Sequence, residues 1–103
     1  MPEFIFAYHG GKRPETPEEG AKAMEKWQNW FSGMGDAVVD GGRPVGMSRT
    51  VSSNGVADDG GANPLSGYSI VRADTFDSAC ALAKGCPIVG EGGSVEVAEA
   101  MEM

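Results

Sequence analysis

Between Gly67 and Val97 the chain reads GYSIVRADTFDSACALAKGCPIVGEGGSVEV, and this stretch narrows the choice of fold more than any other. Ser69, Val71 and Ala73 alternate with Tyr68, Ile70 and Arg72, the two-residue period of a strand that uses both faces. Asp74 or Thr75 is placed to cap a helix over TFDSACALAKGC, with Phe76, Ala79, Cys80, Leu82 and Ala83 on its inward side. Gly85 is expected to end that helix in the left-handed conformation, and Pro87 to prevent its resumption. Val95 and Val97 then restore the alternation in SVEVAEAMEM. The pattern slips near Ala98, which implies a bulge or two half-exposed faces there.

The first part of the chain follows the same grammar. EFIFAYH (Glu3 to His9) is a strand with Phe4, Phe6 and Tyr8 on one face and Ile5, Ala7 and His9 on the other. Thr16 is an N-cap followed by Pro17 at the first helical position, and Glu19 stands at capping-box spacing. Met24, Trp27, Phe31 and Met34 repeat at three- and four-residue steps, widened by Ala23 and Trp30, and make one apolar stripe. A short strand follows at Ala37 to Asp40, and a third over SRTVSSNGV runs into an Asn54-Gly55 turn. The order strand, helix, strand, strand, strand, helix, strand predicts an α+β fold of ferredoxin-like type, a split β-α-β sandwich. Two helices cover only one face of such a sheet. A second copy is the simplest cover for the other, so a homodimer is expected.

Length and charge limit what such a domain does. A chain of 103 residues is one domain, 1–103, with one modest core. Its net charge of −7 repels phosphate backbones and anionic lipid surfaces, so neither nucleic acid nor membrane is an expected partner. No apolar run approaches a membrane span, and MPEFIFAYHGG lacks the basic and long apolar regions of a signal peptide, so the expected location is cytoplasmic. Cys80 and Cys86 match neither redox nor zinc spacing and read as reduced packing residues. GGKRP lacks the ending of a phosphate loop, and one histidine with scattered carboxylates makes no metal site, so no cofactor or metal is expected.

Few residues are candidates for chemistry. His9 is the only imidazole and is placed at a strand end beside Gly10-Gly11, the setting of a general acid or base or of a hydrogen-bonded edge histidine. Asp40 ends the next strand and reads as its partner or as a turn aspartate. Arg43 and Arg72 are candidates to hold a carboxylate, or surface ion-pair residues. Tyr8, Trp27, Trp30 and Tyr68 are candidates to line a pocket between the sheet and the first helix, with core packing the alternative for the tryptophans.

SGYSIVRADTFDSACALAKGCPIVGEGGSVEVAEAMEM, together with FIFAYHGG and MEKWQNWFSGMGDAVVDGGRPVG, resembles the YCII-related (DGPF-domain) family over nearly the whole chain. The resemblance implies a ferredoxin-like domain that dimerises into an α/β barrel with a pocket in each subunit. In some relatives, small lyases or isomerase-like enzymes, a helix histidine and a strand-end aspartate form a proposed dyad. Here Trp27-Gln28 stand about where that histidine is expected, Asp40 is the nearest match to the aspartate, and only Asp59-Gly60 remain of the Asp-Gly-Pro-Phe motif. The function expected is thus a homodimeric ligand-binding or accessory domain. The alternative is a small cofactor-independent lyase or isomerase-like enzyme in which His9 and Asp40 move protons on an organic acid. A third expectation is a contact domain whose acidic surface suits a basic protein partner.

Overall fold

In the computed structural model, which describes residues 1–102, strand β1 (Glu3–His9) forms the spine of the molecule. Its side chains divide as the alternation requires. Phe4, Phe6 and Tyr8 are buried under helices, whereas Ile5, on the opposite face, is 40% exposed.

Helix α1 (Pro17–Met34) begins where its caps dictate. Thr16 Oγ1 accepts the Glu19 amide at 3.1 Å. The Glu19 carboxylate reaches back to the Glu15 amide at 2.8 Å, one residue ahead of the N-cap that a capping box would engage. Gly35 closes the helix with φ +56 and returns its amide to the Phe31 carbonyl, a conformation that costs other residues. One turn of 3-10 helix (Gly35–Ala37) leads into β2 (Val38–Pro44), longer than the four residues expected.

The expected third strand does not join this sheet. β3 (Thr50–Ser52) and β4 (Gly55–Ala57) pair only with each other, as a hairpin. Its Met47, Val51 and Val56 neighbourhood is strongly exposed. The chain returns through β5 (Leu65–Arg72), α2 (Phe76–Ala83), a short α3 (Pro87–Gly90) and β6 (Ser94–Glu99).

The main sheet has four strands in the order β2-β5-β1-β6, every neighbour antiparallel. β1 and β2 therefore run the same way with β5 between them, and β5 and β6 run the same way with β1 between them. Register is regular from Phe4↔Glu99 to His9↔Ser94, so no bulge occurs at Ala98; the strand ends one residue later. The irregularities fall elsewhere: in β2 between Val38 and Asp40 and between Asp40 and Arg43, and between Tyr8 and His9 where β1 meets β5.

The core lies between the main sheet and the helices. Phe4, Phe6, Tyr8 and Val71 from the sheet meet Ala79 and Ala83 of α2, and Cys86 and Ile88 close the end. Thr75 and Ser78 make a reciprocal capping box at the start of α2. Two sequence expectations at its end need correction. Gly85 has no positive φ. A Cβ there would lie 3.3 Å from Trp30 Cδ1 and Nε1, so close approach of the indole, not a left-handed turn, favours glycine. Pro87 does not block helix; it starts α3 at the position where a missing amide costs nothing.

The result is a slab of 43 × 42 × 19 Å, one sheet layer and one helix layer thick. Its radius of gyration, 14.7 Å, exceeds the roughly 13 Å of a spherical domain this long. No helix among the described residues is long and apolar enough to cross a membrane.

Candidate functional site

Helix α1 is amphipathic yet has no buried residue. Trp27, Trp30, Phe31 and Met34 are only partly covered, and Met24 remains 61% exposed. The reason is a cavity of about 550 Å³ between α1 and the sheet. Its walls are Trp27, Phe31 and Met24 from the helix and Tyr8 and the Gly41–Pro44 and Ser66–Tyr68 segments from the sheet. That volume lies within the range of small-molecule sites.

The aromatic wall is cross-braced. Tyr8 meets Trp27 edge to face with ring centroids 5.0 Å apart, and Trp27 meets Trp30 and Phe31 at 5.7 and 6.0 Å. Trp30 turns the other way. It lies against Phe6 at 6.1 Å, and its Nε1 donates to the Leu82 carbonyl at 3.0 Å, tying α1 to α2.

The sheet side is held by a polar relay. The Tyr8 hydroxyl donates to Ser69 Oγ at 2.7 Å, and Ser69 Oγ donates to the Gly41 carbonyl at 2.6 Å. Three strands are thus linked through one buried serine. Burial pushes the Tyr8 phenol well above its ordinary pKa, with the Ser69 bond acting slightly in the other direction, so Tyr8 is a neutral donor. Beside it, the β2 irregularity turns on Gly42, φ +72, whose amide donates to Asp40 Oδ1 at 2.8 Å. A Cβ at Gly42 would overlap the Tyr68 carbonyl. The double irregularity brings Arg43 opposite Tyr68 at the cavity.

Of the residues singled out from sequence, Tyr8 and Trp27 face this cavity. Arg43 and Tyr68 border it at the sheet edge but pair with each other and, through Tyr68, with Ala7, so their side chains share the open face of the sheet. His9, Asp40, Trp30 and Arg72 are not among its lining residues. Asp40 stands opposite Ile70, which pairs with Ile5. Ile5 is four residues from His9, about 13 Å along the strand, with two strand spacings still to cross. The two do not share a cleft, and the Asp40 carboxylate is a turn acceptor. His9 instead meets Glu96 Oε1 through Nε2 at 3.1 Å and the Pro64 carbonyl through Nδ1 at 3.2 Å. Both ring nitrogens face oxygen acceptors, and the ring is only 8% exposed. This is a latch between β1, β6 and the segment before β5. Arg72, paired with Glu3, lies at the far end of β5 from Tyr68.

Sequence reasoning missed Lys12, Gln28, Ile88 and Glu91 as lining residues. Phe31 and Met24 belong to the apolar stripe that the sequence predicts. Cys86 is buried beside Ile88, and burial pushes its thiol up to about 11. No cluster of three or more His, Cys, Asp or Glu side chains is arranged to hold a metal among the described residues. Comparison with family models, with curated proteins and with solved structures finds no match to this chain.

Proposed function

We propose that this protein is a homodimeric ligand-binding or accessory domain of the YCII-related, ferredoxin-like type, whose ligand enters between α1 and the sheet. The single observation that carries the reading is the cavity of about 550 Å³ under a helix that buries none of its own residues. Apolar surface left wet forgoes about 25 cal/mol per Å², so a ligand that covers Trp27, Met24 and Phe31 recovers it on binding. The doubly split strand order supports the ferredoxin-like arrangement.

The other face supports the dimer reading. Ile5 and Val39 are 40% and 39% exposed there, beside partly exposed Ala7, Tyr68 and Ile70. Four strands about 4.8 Å apart and some six residues long present roughly 400 Å². A stable interface buries about 800 Å² per partner. The β3–β4 hairpin, with Met47, Val51 and Val56 exposed, is suited to supply the remainder by reaching around a second copy.

The enzyme reading is the weaker one, because His9 lacks a free nitrogen directed into the cavity. Binding is testable with the two indole N–H signals in a ¹H–¹⁵N spectrum during a screen of small aromatic compounds. Binders are expected to shift the Trp27 indole strongly and the Trp30 indole, already bonded to Leu82, weakly. A screen in which no compound perturbs the Trp27 signal, or in which Trp30 alone responds, overturns the cavity as the site.

A further inference from the structure

We infer that the occupant of this cavity is a small anion with a flat apolar body, and that Lys12, Arg13, Lys22 and Lys26 hold its charged end; the inference rests on the ligand-binding reading above. These four cations line a second hollow of about 200 Å³. Lys12 and Arg13 come from the loop after β1, and Lys22 and Lys26 are one turn apart on α1. Both hollows share Lys12, Pro14, Ala23 and Glu91 in their linings. The shared residues set the two hollows side by side, with the aromatic wall in the larger and the basic lip in the smaller.

The distribution of charge is what gives this lip meaning. The chain carries eight Lys and Arg against fifteen Asp and Glu. Cations in so acidic a molecule have many carboxylates to pair with. Yet the ion pair found among the described residues, Arg49–Asp58, uses none of the four, and neither does the His9–Glu96 contact. Half of all the positive side chains thus collect unpaired around one concavity. Two carboxylates share the lip. Glu19 is committed to the Glu15 amide, and Glu91 stands where the hollows join. The balance remains positive, and a basic concavity in an acidic surface concentrates field on an incoming anion. The adjoining Trp27, Tyr8 and Phe31 fix the body as flat and apolar. Lysine is a point charge and does not select planar carboxylate over phosphate, so the shared chemistry is the anionic head.

Three probes with one body test this by calorimetry: naphthalene-2-carboxylate, 2-naphthyl phosphate and the neutral naphthalene-2-methanol. At low salt at least one anion is expected to bind about tenfold tighter than the alcohol, and the preference is expected to shrink in 0.5 M salt. The tighter of the two anions identifies the head group. The double variant Lys22→Gln, Lys26→Gln, at exposed helix positions that glutamine tolerates, is expected to cut the preference to about twofold while leaving the affinity for the alcohol unchanged. Equal binding of all three probes, or an anion preference that survives the double variant, overturns the basic lip and leaves the cavity reading intact. Failure of all three to bind overturns both.

Discussion

Trp27 and Trp30 are three residues apart on one helix, and the fold gives them different tasks. Replacing Trp30 with alanine removes an indole that lies on Phe6 at 6.1 Å, approaches Phe31 at 5.1 Å and donates to the Leu82 carbonyl at 3.0 Å. A buried tryptophan truncated to alanine costs about 3–5 kcal/mol. Partial exposure of Trp30 lowers that figure, and the lost hydrogen bond returns about 1 kcal/mol of it. The expected loss is about 3 kcal/mol, or a melting temperature lower by some 12–20 °C for a domain this size. Trp30→Phe keeps one ring against Phe6 and loses the hydrogen bond, with an expected cost of about 1–2 kcal/mol. Trp27→Ala removes a cavity wall with no polar tie and is expected to cost less, about 1–2 kcal/mol, while abolishing ligand binding. Urea unfolding followed by far-ultraviolet circular dichroism, at one fixed protein concentration, measures all three. A Trp30→Ala loss below about 1 kcal/mol, or a Trp27→Ala loss equal to it, refutes this division between brace and wall.

Gly42→Ala is expected to be among the most damaging small substitutions, above about 3 kcal/mol, because a Cβ overlaps the Tyr68 carbonyl and φ is +72; a loss under about 1 kcal/mol in the same unfolding assay contradicts the β2 geometry. Alkali is expected to weaken the fold. Tyr8 and Cys86 are both raised by burial, so their neutral forms favour the native state; that contribution is whole below about pH 9 and declines as pH rises, first while Cys86 holds its proton to about 11 and the unfolded thiol does not, then as unfolded Tyr8 ionises. The slope for each group is at most about 1.4 kcal/mol per pH unit, and stability that is flat between pH 8.5 and 10.5 contradicts it.

What the residues revealed in advance was mostly what neighbours in sequence decide. The facing of Phe4, Phe6 and Tyr8 on β1 and the Thr16 cap depend on side chains a few positions apart, and the structure matches each. Of Asp74 and Thr75 it is Thr75 that caps α2, and the α1 stripe forms but buries no residue. Gly85 misled because its glycine answers to Trp30, fifty-five positions away, and nothing local announces an indole. Pro87 misled because the same residue that ends one helix is also the best first residue of another.

The site divided along the same line. Tyr8 and Trp27 were legible because each lies on an element whose facing could be read, whereas Arg43 and Tyr68 border the cavity only at its sheet edge. The His9–Asp40 pairing failed on strand order and register: consecutive strands β1 and β2 are separated by β5, and Asp40 aligns with the opposite end of β1. The basic lip was invisible because it depends on how far α1 stands from the sheet, which sequence periodicity does not encode. GGKRP lacks the ending of a phosphate loop, yet its Lys12 and Arg13 line the basic hollow.

The most direct test of the architecture is the sedimentation-equilibrium mass of the full chain at micromolar concentration. A domain with helices over one sheet face only is expected to sediment at twice its 10.7 kDa chain mass, and substituting Ile5 and Ile70 with lysine on the open face is expected to return it to one. A folded, stable species at the single-chain mass, with native sequence and no ligand, contradicts the claim that the bare face requires a second copy.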